Sequence, residues 1–553
     1  MLLFLRRSVI AALFLCLPLT VRAEDSKPPN SALAAADQLM QSGKFAEAEA
    51  DYRALIEIDA TLVPAQLGLV RSLLRQQKVD DAWETVNAAS TALSYSAALL
   101  AAKGDVQFRL AQMSEAETSY LDAKQLDPKE IHAYLGLTRL YRCQSMYRQA
   151  YDELQRVHDI APNNPEVQKA WLSMLPRRER LAALQAYIAA QHPEDEDEST
   201  GLADALAFLK ETADKPAHAC KLVNKVEHTE VRLDILRDIS AGGHAVSLSA
   251  KINDLSVSFT LDTGAGGILL TRKMAEKAGV TRIADVHYLG TGDKGVQSGY
   301  AAVADHIHIG DLEFQDCVIS VSDKLIDSSQ DGLIGADVFA HFLVDIDLPG
   351  SRLVLSLLPK RPSDTITPPA LNSEVNELAN TEQKESPDTA QTATEKVSSS
   401  HRLPQDRYIA PEMAKWTQVF RINHYLLVPT NVNDAPPALF ILDTGAFDNV
   451  LAVRAGRQVT KVKSRLGNSV GGLSGNVKKV YSAKVTLGFG HLQQSNVDTV
   501  AVDLSNLSGH AGTEVSGLLG FTMLQMLDLK IDYRDGLVNM EFDPKRVQHL
   551  LKK

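Results

Sequence analysis

Two short stretches of the sequence place an acidic residue directly after an apolar run, where a carboxyl group could exchange protons with a bound molecule. The stretch FTLDTGAGGILLT covers residues 259–271, and LFILDTGAFDNVL covers residues 439–451. Both contain Asp-Thr-Gly-Ala, and Asp262 and Asp443 lie 181 residues apart. Carboxyl groups serve as general acids and bases in catalysis. One copy would be weak evidence, whereas two copies in matching contexts point to a duplicated site.

The segments around the two motifs repeat as well. Alternating apolar and polar residues in HAVSLSAKI and LSVSFTLD predict half-buried strands. In both halves a glycine-rich stretch, two strand-like segments and a Leu-Ile-Gly or Leu-Leu-Gly triplet follow the motif, and Gly335 and Gly520 are 185 residues apart. The sequence therefore predicts two all-β domains, over 228–358 and 411–545.

This order of motifs resembles the retropepsin-like aspartic protease family. The resemblance covers residues 240–357 and 415–543, and tandem copies behind helical repeats resemble bacterial aspartyl proteases of the Asp-protease-2 kind. It implies that Asp262 and Asp443 are the catalytic pair, which shares one proton because two adjacent carboxylates cannot both ionise. One carboxyl would activate a water molecule and the other would protonate the peptide carbonyl.

The resemblance also implies roles for residues near the pair. Four loop residues would hold the carboxylates in place: Thr263, Gly264, Thr444 and Gly445. Two glycines would lie beneath the loops and brace them: Gly335 and Gly520. Glycines of two flaps would close over substrate: Gly290, Gly292, Gly295, Gly471 and Gly472.

A different repeat precedes the β domains. Phe45, Val79, Met113 and Tyr147 follow one another at 34-residue steps, as do Ala48, Ala82, Ala116 and Ala150. A 34-residue period with a small residue inside each helix resembles the tetratricopeptide repeat. We predict an all-α solenoid with capping helices over 31–190. Such arrays bind peptides or partner proteins, and a spacer or dimerisation arm is the alternative.

The N-terminus has the pattern of a secretory signal. Arg6 and Arg7 precede about 13 apolar residues, and a small-residue cleavage site ends at Ala23. An uncleaved anchor is the alternative, but a bilayer span needs roughly 20 apolar residues. We therefore predict a signal peptide over 1–23, no stable membrane span after its removal, and a secreted protein of the bacterial periplasm.

Two connecting segments complete the predicted organisation. Residues 191–227 begin with an acidic run and are predicted to be a linker with one helical connection. Residues 359–410 are rich in Ser, Thr, Pro, Glu and Gln and are predicted to be disordered. About 50 flexible residues span roughly 40 Å on average, which is enough to let the two halves dock within one chain.

Three other patterns predict nothing further. GTGDKG at 290–295 matches a dinucleotide motif, but no helix follows it, and we interpret it as a flap. His306 and His308 share one strand face and could bind zinc, but no third ligand has a sensible spacing, so we interpret them as surface or packing residues. The scattered Cys143, Cys220 and Cys317 are predicted to be small buried side chains rather than a disulfide framework.

The combined prediction is a multidomain protein with a tetratricopeptide-like solenoid and two retropepsin-like domains. Its function would be that of an exported aspartic endopeptidase, whose helical repeats recruit a protein substrate or partner. It would need no cofactor and no metal. The formal net charge of −12 gives no reason to expect nucleic acid as a partner. The alternative is a non-catalytic periplasmic peptide-binding or scaffold protein on the same folds.

Overall fold

The computed structural model describes residues 29–190, 196–215, 218, 220–224, 226–238, 243–288, 297–322, 330–362, 404–465, 470–472, 475–477 and 480–548. The predicted signal peptide lies outside these residues. Among the helices in the described ranges, none is both long enough and apolar enough to cross a bilayer.

The described N-terminal part is a run of helices, α1–α11. Their bounds are Pro29–Gln41, Phe45–Ile58, Val63–Arg75, Val79–Ala92, Ala97–Arg109, Met113–Leu126, Ile131–Cys143, Tyr147–Ile160, Pro165–Trp171, Arg177–Ala190 and Glu196–Thr212. The 34-residue positions marked in the sequence are the first residues of α2, α4, α6 and α8. The predicted solenoid is therefore confirmed, and its repeated alanines are buried because each helix pair packs against the next.

Every repeat turns between its two helices in the same way. The turn residue has a positive φ of 59–72° in each repeat, and these residues are again 34 apart: Gly43, Gln77, Ala111 and Ser145. The last three of these turns face the second β domain, which makes the solenoid part of one packed body rather than a separate arm.

Domain 1 contains strands β1–β11 and the short helix α12 (Arg272–Ala278). The strand bounds are Lys221–Leu222, His228–Asp238, Gly243–Ile252, Leu255–Asp262, Ile268–Thr271, Thr281–Tyr288, Gln297–Ile309, Leu312–Ser322, Gly332–Gly335, Phe342–Asp347 and Arg352–Leu357.

Domain 2 contains strands β12–β24 and helices α13 (Val453–Val459), α14 (Ser505–Ala511) and α15 (Phe521–Leu524). The strand bounds are Thr417–Gln418, Phe420–Ile422, Tyr425–Val432, Ala438–Leu442, Val450–Ala452, Lys463–Arg465, Val470–Gly472, Gly475–Val477, Val480–Phe489, Leu492–Val502, Gly517–Leu519, Leu527–Asp532 and Leu537–Phe542.

The two domains share one strand order. Domain 1 has β3-β4-β9-β5-β8-β7-β6, and domain 2 has β14-β15-β22-β16-β21-β20-β17 in corresponding places. Each also pairs its first strand with its long hairpin, β3 with β7 and β14 with β20. The all-β class predicted for both halves is therefore confirmed.

A shared sheet joins the two halves in the order β12-β24-β23-β10-β11-β2. Its central pair is antiparallel β10 and β23, with Leu343 opposite Asp532 and Asp347 opposite Asp528. Equivalent residues of the two halves are therefore exchanged by a local two-fold axis that passes between Asp345 and Lys530. Such self-complementary pairing is typical of a symmetric dimer interface, and here one chain supplies both sides.

The solenoid packs directly on domain 2. Thr513 donates its hydroxyl hydrogen to the Phe108 carbonyl over 2.6 Å, and the Glu514 N–H donates to the Arg109 carbonyl over 2.9 Å. Arg454 forms ion pairs with both Asp80 and Glu514. Apolar side chains of α5–α8 belong to the same buried core as the β domains.

The prediction for residues 359–410 needs correction at both ends of the segment. Arg361 forms hydrogen bonds with Gln405 and Asp535, and the Tyr408 N–H donates to the Asp535 carboxylate over 2.8 Å. A buried acid in domain 2 thus orders residues on both sides of the low-complexity stretch. Residues 363–403 lie outside the described ranges.

The helical part of the predicted 191–227 connection covers domain 1. Helix α11 packs along β6, with Phe208 against Ala301 and Val318. Asp204 accepts a hydrogen bond from the His287 N–H over 2.7 Å. This helix is therefore an outer layer of the β domain rather than a linker.

The interpretation of the cysteines was wrong for two of them. Cys220 and Cys317 form a disulfide, while Cys143 is a buried free thiol. A sequence separation of 97 positions conceals the contact between the bonded pair in the sequence. The pairing of β1 with β8, in which Lys221 lies opposite Gln315, brings the two sulfurs together.

Candidate active site

The two Asp-Thr-Gly loops begin where two equivalent buried strands end. Asp262 is the last residue of β4, and Asp443 directly follows β15. Apolar residues of both strands pack in the core, whereas both aspartate side chains are only half-buried. The strands therefore hold both carboxyl groups on a fixed base, and both remain partly exposed.

The two threonines connect the loops by four reciprocal hydrogen bonds. The Thr263 N–H donates to the Thr444 hydroxyl over 3.0 Å, and the Thr444 N–H donates to the Thr263 hydroxyl over 2.9 Å. Each hydroxyl also donates to a carbonyl of the opposite half, Thr263 to Leu442 and Thr444 to Leu261. Both threonines are buried. This symmetric lock fixes the distance between the strands that carry the aspartates.

The two glycines allow each carboxyl group to approach the opposite loop. A Cβ atom built on Gly264 would lie within 3 Å of the Asp443 carboxyl carbon, and one on Gly445 within 3 Å of that of Asp262. No side chain fits in either place. The Gly264 and Gly445 N–H groups also donate to the carboxylate of their own loop over 2.8 and 2.9 Å.

The electrostatics of the pair are those of two acids that share a proton. Burial raises the pKa of Asp262, although the Gly264 N–H and the Asp443 carboxyl act against this rise. Burial and then the charge of Asp262 raise the pKa of Asp443 well above its ordinary value. The two carboxyl groups therefore titrate as one coupled unit that holds a shared proton.

Gly335 and Gly520 lie beside the loops. Gly335 pairs with Asp262 in the parallel β4–β9 ladder, and its N–H donates to the Gly267 carbonyl over 2.8 Å. The Gly520 N–H donates to the Asn449 side chain over 2.8 Å. A Cβ atom on either glycine would collide with a backbone carbonyl of the neighbouring loop.

Two polar side chains that the sequence reasoning missed hold the same region. Asp337 accepts from the Gly267 N–H over 3.0 Å, and Asn449 accepts from the Gly520 N–H. Both are buried. The signal that could have identified them is their position, because each lies a few residues after one of the repeated motifs.

The predicted flaps lie only partly within the described residues. Gly290, Gly292 and Gly295 are outside them, between β6 and β7. Gly471 and Gly472 lie on β18, which pairs with β19 as a two-stranded hairpin with Gly472 opposite Gly475. Domain 2 therefore has a hairpin where the sequence predicted a flap.

The rim of the site differs between the halves. Phe447 follows the second motif and is 41% exposed, whereas the matching position in domain 1 is Gly266. The His424 imidazole occupies the space next to Gly266, where a Cβ atom would lie within 3 Å of the ring. The charge of His424 also favours the ionised form of Asp262, so it lowers the pKa of that residue.

Among the described residues, one set of metal-ligand side chains outside this site is close enough to share an ion: His306, His308 and Glu313. It lies on the β7–β8 hairpin, away from the aspartates.

Comparisons with known proteins agree with this architecture. An aspartyl protease family model matches residues 248–338, and a tetratricopeptide repeat-like domain model matches residues 25–159. DNA damage-inducible protein 1 of Saccharomyces cerevisiae is 26% identical over 157 residues, which are 28% of this chain and 33% of the relative. The chain thus matches about a third of the length of this curated relative.

Among solved structures, a thermophilic tetratricopeptide repeat protein of Thermus thermophilus is similar at 19% identity and a TM-score of 0.27, covering 32% of this chain and 99% of that chain. The family matches and the arrangement of strands and helices lead to one conclusion. The chain contains a retropepsin-like aspartyl protease domain behind a tetratricopeptide repeat-like domain.

Proposed function

We propose that this protein is an exported aspartic endopeptidase with one active site, formed by Asp262 of the first half and Asp443 of the second. The observation that carries the proposal is the reciprocal bonding of Thr263 and Thr444, which holds the two carboxyl groups of a single chain beside each other. Viral-type enzymes of this kind need two chains for such a pair, and the duplicated half removes that need.

The proposed reaction follows from the sharing of the proton. The ionised carboxylate of the pair accepts a proton from a water molecule, whose oxygen attacks the peptide carbonyl carbon. The protonated carboxyl donates its proton to the carbonyl oxygen. The carboxyl that took up the water proton then passes it to the leaving nitrogen, the carbon–nitrogen bond breaks, and a hydroxyl of the intermediate returns its proton to the other carboxylate. The loop N–H groups keep each carboxylate oriented throughout.

The helical repeats are proposed to bind a protein partner or substrate near the cleft. Their equivalent positions form a row of alternating charge: Asp37, Arg71, Asp105 and Arg139. The side chains of Arg71 and Arg139 are exposed. Since the solenoid shares its core with the β domains, a ligand on this row would be held at a fixed place relative to the active site.

Export is supported by two independent observations. The first 23 residues have the order of a cleavable signal, and the Cys220–Cys317 disulfide suits an oxidising compartment such as the periplasm. N-terminal sequencing of the protein from a periplasmic fraction tests this. The mature chain should begin at Glu24, and an intact Met1 in the cytoplasmic fraction would contradict export.

Catalysis is tested by incubating the purified protein with an unfolded protein between pH 4 and pH 7, with and without pepstatin. We expect cleavage products that the inhibitor suppresses and that the Asp262→Asn variant fails to produce. Stoichiometric peptide binding without turnover by the wild type would contradict the proposal and favour a scaffold. The folded state of the variant is checked by its melting temperature.

A further inference from the structure

Three side chains that can bind a metal ion share one face of the β7–β8 hairpin in domain 1. His306 and His308 alternate on β7, so both project to the same side of the sheet. Glu313 on β8 lies directly opposite His308 and diagonally opposite His306. The third ligand that the sequence did not reveal therefore comes from the next strand, across a two-residue turn.

The distances within this group are close to those that a tetrahedral ion requires. The His306 Nδ1 atom lies 3.3 Å from the Glu313 Oε1 atom. Zinc bonds of 2.0–2.1 Å separate neighbouring ligand atoms by about 3.3 Å in a tetrahedron. The donor atoms of all three side chains lie within 4.8 Å of one another, and the two imidazole rings are nearly parallel at 9°.

The backbone beneath the group is held by side-chain amides. The His306 N–H donates to Asn253 over 3.1 Å, and the Glu313 N–H donates to Asn224 over 3.1 Å. The hairpin has ordinary strand pairing on both sides of its turn. The ligands thus start from fixed positions, and only side-chain rotation is needed to complete a site.

The duplicated half gives an internal comparison. The equivalent hairpin of domain 2 has the same register, with Gly488 opposite Gln493 where domain 1 has His308 opposite Glu313. The position that matches His306 is Thr486. The strand framework therefore does not require metal-binding residues here, and their presence is specific to domain 1.

We propose that His306, His308 and Glu313 bind one divalent transition-metal ion, with Zn²⁺ as the best match to two imidazoles and a carboxylate. Water would fill the remaining coordination position. The ion would tie β7 to β8 at the outer end of the hairpin. His306 is nine residues from the flap end of β7 at Gln297, about 30 Å along an extended strand, so this ion would stabilise domain 1 rather than take part in proteolysis.

The surroundings set limits on the affinity. Lys251 on β3 lies opposite His308, and its ammonium group opposes the charge of a bound cation. Three protein ligands on an exposed surface also bind more weakly than a buried four-ligand structural site. We therefore expect binding that is measurable by titration and that EDTA reverses.

The test is a titration of the full-length mature protein with ZnCl₂ at pH 7.5 after treatment with EDTA, followed by calorimetry and by the melting temperature. The wild type should bind one ion at this site and melt at a higher temperature with zinc. His308→Ala and Glu313→Gln should each weaken binding about tenfold or more and abolish the zinc-dependent shift. The same titration of Asp262→Asn identifies any ion held by the aspartate pair.

His491→Ala is the matched control, because this exposed histidine lies at the tip of the equivalent hairpin in domain 2. It should bind zinc as the wild type does. The proposal would be overturned if the wild type showed no saturable binding, or if His308→Ala and Glu313→Gln bound as tightly as His491→Ala. If zinc has no effect on the wild type but Glu313→Gln melts at a lower temperature in EDTA, the proposal is also overturned. The three side chains would then contribute only a His306–Glu313 ion pair.

Discussion

The two β domains have the same strand order but differ in the segments that cover them. Domain 1 is covered by α11, is closed by the Cys220–Cys317 disulfide and carries the histidine pair of its outer hairpin. Domain 2 has none of these features in its described residues and instead packs against the helical repeats. At the loops that carry the aspartates, however, their hydrogen bonds are nearly the same.

This contrast shows which parts of the duplicated fold tolerate change. The threonine bonds and the glycine contacts involve both halves at once, so a change in one half disturbs the other. The outer hairpins differ between the halves, and at the rim the first half has Gly266, next to the His424 ring, where the second half has Phe447. Symmetry is retained where the proposed mechanism needs two equal partners.

The largest effect is expected from breaking the lock between the loops. Thr263→Val and Thr444→Val should each lower the free energy of unfolding by about 2–4 kcal/mol, because each leaves a buried N–H and a buried carbonyl of the opposite half unpaired. Unfolding in urea measures the change. Thr499→Val is the control, since this buried hydroxyl has no hydrogen-bond partner among the described residues, and it should change stability by less than about 1 kcal/mol. Costs that differ strongly between Thr263→Val and Thr444→Val would show that the loops are not equivalent.

A somewhat smaller loss of stability, with loss of activity, is expected from the glycines. Gly264→Ala and Gly445→Ala place a methyl group against the opposite carboxyl group, which should cost about 1–3 kcal/mol and separate the pair. Proteolytic rate and melting temperature are measured together. Gly201→Ala on α11 has open space around its Cβ position and should leave both unchanged or slightly raise stability. Full activity in Gly445→Ala would mean that the carboxyl groups do not need this close approach.

The smallest effect concerns the sheet that joins the halves. Burial raises the pKa of Asp345 to about 7, and the nearby carboxylates of Asp528 and Asp347 add to this rise. The positive charge of Lys530 lowers the pKa, but by less. The folded protein therefore binds a proton that the unfolded chain releases near pH 4, so this group makes the protein less stable as the pH rises from about 4 to about 7.

Asp345→Asn removes that dependence. The variant and the wild type should have the same free energy of unfolding near pH 4. At pH 8 the variant should be more stable by about 1 kcal/mol, because solvent screening reduces the effect at this half-buried position. Urea unfolding at both pH values gives the comparison, and Asp254→Asn, an exposed carboxyl in a turn, should show no such change. If the free energy of unfolding changes with pH equally in Asp345→Asn and the wild type, Asp345 is not the cause of the pH dependence.

Local patterns in the sequence predicted much of the fold. The helix starts follow from a 34-residue period, and the strand that ends at Asp262 follows from alternation over eight residues. These signals are readable because each is set by packing within one element or between neighbours. The grouping of Thr263, Gly264 and their partners around the two aspartates also followed from the matched motifs.

Contacts between distant segments were not predictable in the same way. The Cys220–Cys317 bond depends on the pairing of β1 with β8, and the place of Glu313 beside His306 depends on the register of a hairpin. Likewise, ordered linker ends such as Arg361 depend on a buried acid in domain 2. Each of these requires knowledge of which surfaces meet, and a single sequence contains no local pattern for that.

We propose that Asp262 and Asp443 of the same chain form one active site. The most direct measurement is the proteolytic activity of purified Asp262→Asn and Asp443→Asn, each alone and mixed in equal amounts, with the molar mass of each sample determined by light scattering. We predict that both variants are inactive alone and remain inactive when mixed, because the missing carboxylate cannot come from another chain. Substantial activity in either variant alone, or its recovery on mixing, would contradict a single intramolecular site.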